Sequence, residues 1–142
     1  MPSGVTILLV EDNPDDEALT ELGLRMGMPA NFEVARDGQE ALNYLFDDAN
    51  DLPRLVLLDL RLPSIDGLEV LRRIREHERT CLMPVVILTG SSAPHDIAAS
   101  YRHGANSYIR KPVQFDQYAE LIRQIGSYWL VVNEPPSNIQ DQ

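Results

Sequence analysis

Five short runs of nearly unbroken Val, Ile and Leu constrain this chain more than any other feature. They occupy Val5–Val10, Phe32–Ala35, Leu55–Leu60, Pro84–Leu88 and, more weakly, Ser107–Ile109. A strand with one solvated face alternates apolar and polar residues, whereas a strand apolar throughout is buried on both faces, the habit of parallel sheets. Between the runs lie stretches with the 3.6-residue spacing of helices. The first helix is expected to start at Pro14 behind an Asn13 cap, with Asp15, Asp16 and Glu17 complementing its dipole, and to bury Ala18, Leu19, Leu22 and Met26. A second is expected over Gly38–Phe46 with Ala41, Leu42 and Leu45 inward, and a third over Gly67–His77 with Leu68, Leu71 and Ile74 inward. A less apolar fourth spans Pro94–His103, and the fifth runs from Phe115 to about Val131 with Phe115, Tyr118, Ala119, Ile122, Ile125 and Trp129 inward. Strand then helix, repeated in this way, predicts right-handed crossovers and an α/β fold, a doubly wound parallel sheet with helices on both faces. The 142 residues suffice for one such domain, expected over 4–132, with a polar tail over 133–142 that is mobile or a dimer arm.

Composition removes several function classes. Twelve Lys and Arg against twenty-two Asp and Glu leave a formal charge of −10, and no run of bases supplies the footprint that nucleic acid or an anionic membrane surface requires. The apolar stretches are far shorter than the ~20 residues of a membrane span. The start, MPSGVTILLVED, lacks the basic opening of a signal peptide, and Cys81 stands alone, so no internal disulfide is expected and the chain fits a reducing cytoplasm.

In a doubly wound sheet, ligands bind beyond the carboxyl ends of the strands, where the winding direction reverses. The first strand runs into Glu11 and Asp12, the third into Asp59, the fourth into Thr89 and Gly90, and the fifth into Arg110, Lys111 and Pro112. Any one of these more often caps a loop than serves a reaction. Together, three carboxylates, a hydroxyl and an ammonium meet on one edge, and crowded carboxylates repel unless a cation or a proton relieves them. A hard divalent ion such as magnesium, which prefers oxygen ligands and keeps several waters, fits best, with Asp12 and Asp59 as direct ligands and Glu11 direct or through water. Zinc is disfavoured, because His77, His95 and His103 fall on helices, away from this edge.

The runs ILLVEDNPDD, LLDLRLPSIDG, VVILTGSS and GANSYIRKP, in that order, resemble the receiver domain of bacterial two-component response regulators over about residues 4–132. The resemblance implies a flavodoxin-like sheet of order 2-1-3-4-5. It implies that Asp59 accepts a phosphoryl group from a histidine of a sensor kinase, and that the chain catalyses nothing beyond its own phosphoryl transfer and dephosphorylation. Glu11, Asp12, Asp59 and the main-chain carbonyl of Arg61 would hold Mg, while Lys111 and Thr89 would meet phosphoryl oxygens. Thr89 and Tyr108 would form the switch, and the Lys111–Pro112 bond is expected to be cis. One departure is the acidic pair, Glu-Asp where most receivers carry Asp-Asp. The ending YWLVVNEPP further resembles the stand-alone regulators paired with phytochrome-type histidine kinases.

The chain ends about ten residues past the fifth helix, so the signal is expected to leave through protein contacts rather than an attached output domain. Leu121, Tyr128, Val131 and Val132 widen the apolar arc of that helix, which favours a symmetric homodimer over chain folding back on its own sheet edge. Two other readings share these residues: a magnesium-dependent phosphatase working through an aspartyl-phosphate, and an inert binding module. A phosphatase of that kind needs a general acid two residues after its nucleophile, where this chain has Arg61.

Overall fold

The computed structural model describes residues 7–27 and 30–136. In chain order these form β1 (Ile7–Val10), α1 (Pro14–Met26), β2 (Phe32–Ala35), α2 (Gly38–Leu45), β3 (Leu55–Leu58), α3 (Gly67–Glu76), β4 (Val85–Thr89), α4 (Pro94–Arg102), β5 (Ser107–Arg110) and α5 (Phe115–Ser127), which continues as a π-helical turn over Tyr128–Val132. The strands pair in parallel in the order β2-β1-β3-β4-β5, the expected doubly wound α/β sheet. Val5, Thr6 and the tail beyond Pro136 lie outside the described residues.

Period-two alternation divides each central strand between two cores. Leu8 and Val10, Val56 and Leu58, and Val85 and Ile87 face α2 and α3, where they meet Ala41, Leu42, Leu45, Val70, Leu71 and Ile74. Ile7 and Leu9, Leu55 and Leu57, and Val86 and Leu88 face the other way, toward Leu24 of α1 and Tyr118, Ile122 and Ile125 of α5. Each such side chain contributes about 1.5–3 kcal/mol on burial, so a one-residue slip would forfeit both cores at once and the register is fixed. The edge strands β2 and β5 are only partly covered and tolerate exposed Glu33 and Arg110.

Caps set three of the helix starts. The Asn13 side chain accepts from the Asp15 and Asp16 N–H groups at 2.9 and 3.0 Å, and Asp37 and Asp66 do the same for Glu40 and Glu69 at 2.7 and 3.0 Å. In α4 and α5 no side chain caps the start, and α4 buries only Ser100.

Three helix faces differ from expectation. In α1, Leu22 and Met26 are 46% and 50% exposed, and the buried stripe is Thr20, Gly23 and Leu24. The cause is α5: a Cβ on Gly23 would sit 2.5 Å from both the Ala119 carbonyl oxygen and the Ile122 Cβ. So close an approach selects small residues and turns the larger ones outward. In α5, Phe115 is 70% exposed, because the helix begins beyond the sheet and its inward stripe starts at Tyr118. Leu68 of α3 is likewise only half-buried, with Val70 in the core instead.

Candidate functional site

The winding reverses between β1 and β3, neighbours in the sheet, and their carboxyl ends carry the acidic residues. The backbone ladder continues one residue past the strands. Glu11 N–H donates to Ala35 O at 3.0 Å, Asp59 N–H to Val10 O at 3.1 Å, and Lys111 N–H to Thr89 O at 2.7 Å. Each of these side chains therefore springs from backbone that the sheet holds fixed.

Their head groups meet. The Lys111 ammonium donates to Glu11 Oε1 at 2.7 Å, Asp59 Oδ2 at 2.7 Å and Asp16 Oδ2 at 2.8 Å, which uses its whole complement of N–H donors. The Lys111, Glu11 and Asp59 side chains are at most 10% exposed. Asp16 is a site residue that the sequence reading used only as a dipole complement. It stands in the first turn of α1, and only the packing of that helix brings it to Lys111. Asp12 itself is exposed, and Glu11, Asp12 and Asp59 each offer an oxygen within 4.8 Å of the others.

Glu11 also clarifies the departure from a paired aspartate. Its longer side chain puts Oε1 on Lys111 and lets Oε2 accept from the Asn13 N–H at 3.2 Å, so both oxygens are engaged. Burial pushes its pKa up to about 7, against the lowering effect of Lys111, and the nearby Asp59 charge adds to the rise. Burial opposes the charge on Lys111, but its bonds to Asp16, Asp59 and Glu11 outweigh that and hold the ammonium above the usual lysine range. An oxygen-only donor set with more carboxylates than one ammonium can neutralise fits a hard divalent cation.

On the neighbouring strand, Thr89 Oγ1 is buried without a hydrogen-bond partner. A buried hydroxyl left unpaired costs free energy, so it marks a place where an acceptor belongs. Next to it, Gly90 faces open space, with nothing within 4 Å of where a Cβ would stand. The Tyr108 ring is half-buried against the core on the α2–α3 side, and its hydroxyl donates to the Ser91 carbonyl at 2.8 Å.

The expected cis bond before Pro112 is not found; no cis peptide occurs among the described residues. The trans form is the default for Xaa–Pro by about 0.5–1 kcal/mol, and with it Lys111 already holds both its ladder bond and its three carboxylates. The histidines stay out of the acidic cluster. His77 stacks on Phe46 with 4.6 Å between ring centroids, and a ring nitrogen of His103 lies 2.8 Å from Ala99 O. His95, expected away from this edge, stands in the first turn of α4, which starts beyond the carboxyl end of β4; its ring is 3.3 Å from Asp96. Midway along α5, Leu121 is half-buried, while Tyr128 and Val132 in the π-helical turn that follows are 49% and 64% exposed. Among the described residues, no helix is long and apolar enough to cross a membrane.

A family model described as the response regulator receiver domain matches residues 7–123. Over 134 residues the chain is 42% identical to the probable methanogenesis regulatory protein FilR2 of Methanothrix harundinacea, spanning 92% of this chain and 86% of that protein. It is 35% identical over 129 residues to the response regulator Rcp1 of Synechocystis sp., spanning 87% and 88% of the two chains. The crystal structure of the Mn2+-bound form of Rcp1 superposes with a TM-score of 0.88 at 33% identity, covering 94% and 99%. The phosphorylated cyanobacterial phytochrome response regulator RcpA superposes with a TM-score of 0.89 at 37% identity, covering 95% and 100%.

Proposed function

The chain belongs to the response regulator receiver family, and from that premise we propose that Asp59 is the residue that accepts the phosphoryl group. In the transfer, a carboxylate oxygen of Asp59 bonds to phosphorus as the bond from phosphorus to the kinase histidine nitrogen breaks, its electron pair staying on nitrogen. Such transfers need alignment and charge neutralisation more than covalent help. Lys111 supplies a compact charge, and moves from Asp59 Oδ2 onto a phosphoryl oxygen while Glu11 and Asp16 keep its head in place. Thr89 donates its unpaired hydroxyl to another phosphoryl oxygen. The observation that carries the reading is the pairing of these two groups: an ammonium shared by carboxylates and, one strand away, a buried hydroxyl with nothing to bond.

Asp12 and Asp59 would hold Mg directly, with the Arg61 carbonyl as a further ligand and Glu11 direct or through water. When bound, the cation would neutralise phosphoryl oxygen charge; the Mn2+-bound form of Rcp1 supports this choice of hard ion. Thr89 and Tyr108 act as the switch. Thr89 drawn toward the phosphoryl group moves the loop that carries Ser91, and Tyr108 is bonded to that loop. Arg61, two residues after Asp59, offers no general acid, which favours the phosphoacceptor over the phosphatase.

The donor is a sensor histidine kinase of the phytochrome type, a reading supported by the likeness to the cyanobacterial phytochrome response regulator RcpA. We take 4–132 as the receiver, 133–142 as a tail or dimer arm, and the cytoplasm as its place of work. The partner for output is a second copy of this chain, docked through Leu121, Tyr128 and Val132 on the α4–β5–α5 side. Incubation with a small phosphodonor and Mg2+, followed by intact mass, should give a one-phosphoryl adduct that Asp59→Asn abolishes. Absence of an adduct, or rapid multiple turnover of the donor, refutes the reading. Sedimentation should show a dimer weakened by Tyr128→Glu, and a monomer at high concentration in both phosphorylation states refutes the dimer.

A further inference from the structure

At the mouth of the site, one carboxylate joins three segments. Asp96, in the first turn of α4, accepts a hydrogen bond from the Ser91 hydroxyl and lies 3.6 Å from the Arg61 guanidinium and 3.3 Å from His95. The Ser91 hydroxyl also accepts from the Ala93 N–H at 3.2 Å, and the Ser91 carbonyl accepts from Tyr108. Arg61 N–H donates to Asp59 Oδ1 at 3.1 Å. Asp96 therefore ties the loop after Asp59 to the loop after Thr89. The two partners are held unequally: the Asp96 side chain is 14% exposed, that of Arg61 is 77% exposed. Ser91, then His95 and Arg61, keep the Asp96 carboxyl below its usual range, so it stays an anion throughout the physiological span.

We propose that Asp96 is a positioning residue for the acyl-phosphate, holding the Arg61 guanidinium aside and so setting how much of the time that cation covers the phosphoryl group. The inference rests on Asp59 as the acceptor. An exposed ion pair of this length is weakly held. Esterification brings about −1.5 to −2 charges and three acceptor oxygens to a point two residues from Arg61, and a guanidinium fork matches phosphoryl oxygens well. Arg61 is then shared between Asp96 and the phosphoryl group. Hydrolysis requires a water oxygen to bond to phosphorus while the bond to the Asp59 oxygen breaks. That electron pair returns to the carboxylate, and the water proton leaves on inorganic phosphate. A guanidinium lying over the phosphoryl group obstructs the water; Asp96, by drawing it aside, admits the water.

The test is a double-mutant cycle on adduct lifetime, with wild type, Asp96→Asn, Arg61→Gln and the double variant. Each is loaded with a small phosphodonor and Mg2+, freed of donor, and followed by intact mass. Asp96→Asn keeps an acceptor for Ser91, and should lengthen the lifetime about threefold or more when Arg61 is present but leave it nearly unchanged in the Arg61→Gln background. Asp96→Glu should restore a lifetime close to wild type. A role confined to holding α4 together would act equally in both backgrounds. That outcome, or a shorter lifetime in Asp96→Asn, overturns the inference while leaving the Asp59 adduct in place. Absence of an adduct on the wild type itself removes the acceptor reading and this inference together.

Discussion

Asp12 is the member of the acidic cluster whose neutralisation should stabilise the metal-free protein. It is exposed, whereas Glu11, Asp16 and Asp59 each gain a bond from Lys111. Its carboxylate lies within 4.8 Å of oxygens on both Glu11 and Asp59. At that separation two unit charges repel by about 0.9 kcal/mol in a water-like dielectric, and physiological salt roughly halves this. Asp16 and Lys111 carry opposite charges and offset one another to first order. Two screened repulsions therefore leave a destabilisation of about 1 kcal/mol that Asp12→Asn should remove, provided the pH is high enough to ionise Glu11.

The assay is thermal unfolding at pH 8, in chelator and in saturating Mg2+. For a domain of this size, 1 kcal/mol corresponds to a shift of about 2–4 °C. Asp12→Asn should raise Tm by roughly that much in chelator. The wild type should gain stability with Mg2+, as any ligand of the native state confers, and the variant should gain little. The ranking of the two proteins thus inverts between the two buffers. A variant less stable than wild type in chelator, or one with an unchanged Mg2+ response, refutes the electrostatic reasoning.

Thr89→Val keeps the shape of a buried side chain and removes its unpaired hydroxyl; denaturant unfolding should show stability unchanged within about 1 kcal/mol, while labelling of Asp59 slows about tenfold or more. Gly67→Ala would place a Cβ 2.3 Å from Asp59 O and 2.6 Å from Leu60 Cα, and should cost about 1–3 kcal/mol in urea unfolding and slow labelling by displacing the acceptor. Gly90→Ala, which meets nothing within 4 Å, should be near neutral in the same unfolding assay. Glu11 carries a pH signature: a carboxyl raised from 4.5 to about 7 on folding contributes stability that is complete below 4.5 and lost as pH rises through 7. In chelator the wild type should therefore lose up to roughly 3 kcal/mol against Glu11→Gln across that window, and equal slopes for the two proteins would contradict the burial argument.

The sheet was legible because burial on both faces forces a composition that no other element needs. Ile7–Val10, Leu55–Leu58 and Val85–Thr89 announce themselves by lacking polar alternation, and the edge strand Ser107–Arg110 was the weakest signal because it is only partly covered. All five helix starts were legible, three behind a capping side chain such as Asn13 and two, at Pro94 and Phe115, without one. Helix faces were less so. The stripe of Leu22 and Met26 has the right period, yet Gly23 decides which way α1 turns, and its influence depends on how near α5 comes. A glycine reads as a helix defect until its neighbour across the interface is known.

The same division runs through the site. Glu11, Asp59, Thr89 and Lys111 could be read from the sequence because strand ends have a fixed place in the topology, and the ladder carries the backbone one residue further. Asp16 and Asp96 could not, because each sits in the first turn of a helix whose orientation only packing settles. Packing also separates their behaviour. Asp16 rides on α1, clamped to α5 at Gly23 and by the approach of Thr20 Oγ1 to the Tyr118 hydroxyl at 3.3 Å. Asp96 rides on α4, which has no side-chain cap and buries only Ser100. Segments with few buried contacts open at low free-energy cost. Esterification of Asp59 should then leave α1 and the Asp16–Lys111 bond in place and shift α4, so amide exchange in Pro94–Arg102 should rise on phosphorylation while that in Pro14–Met26 stays constant. Equal changes in the two helices would mean that the charge at the mouth, and not the looseness of α4, decides where the signal leaves.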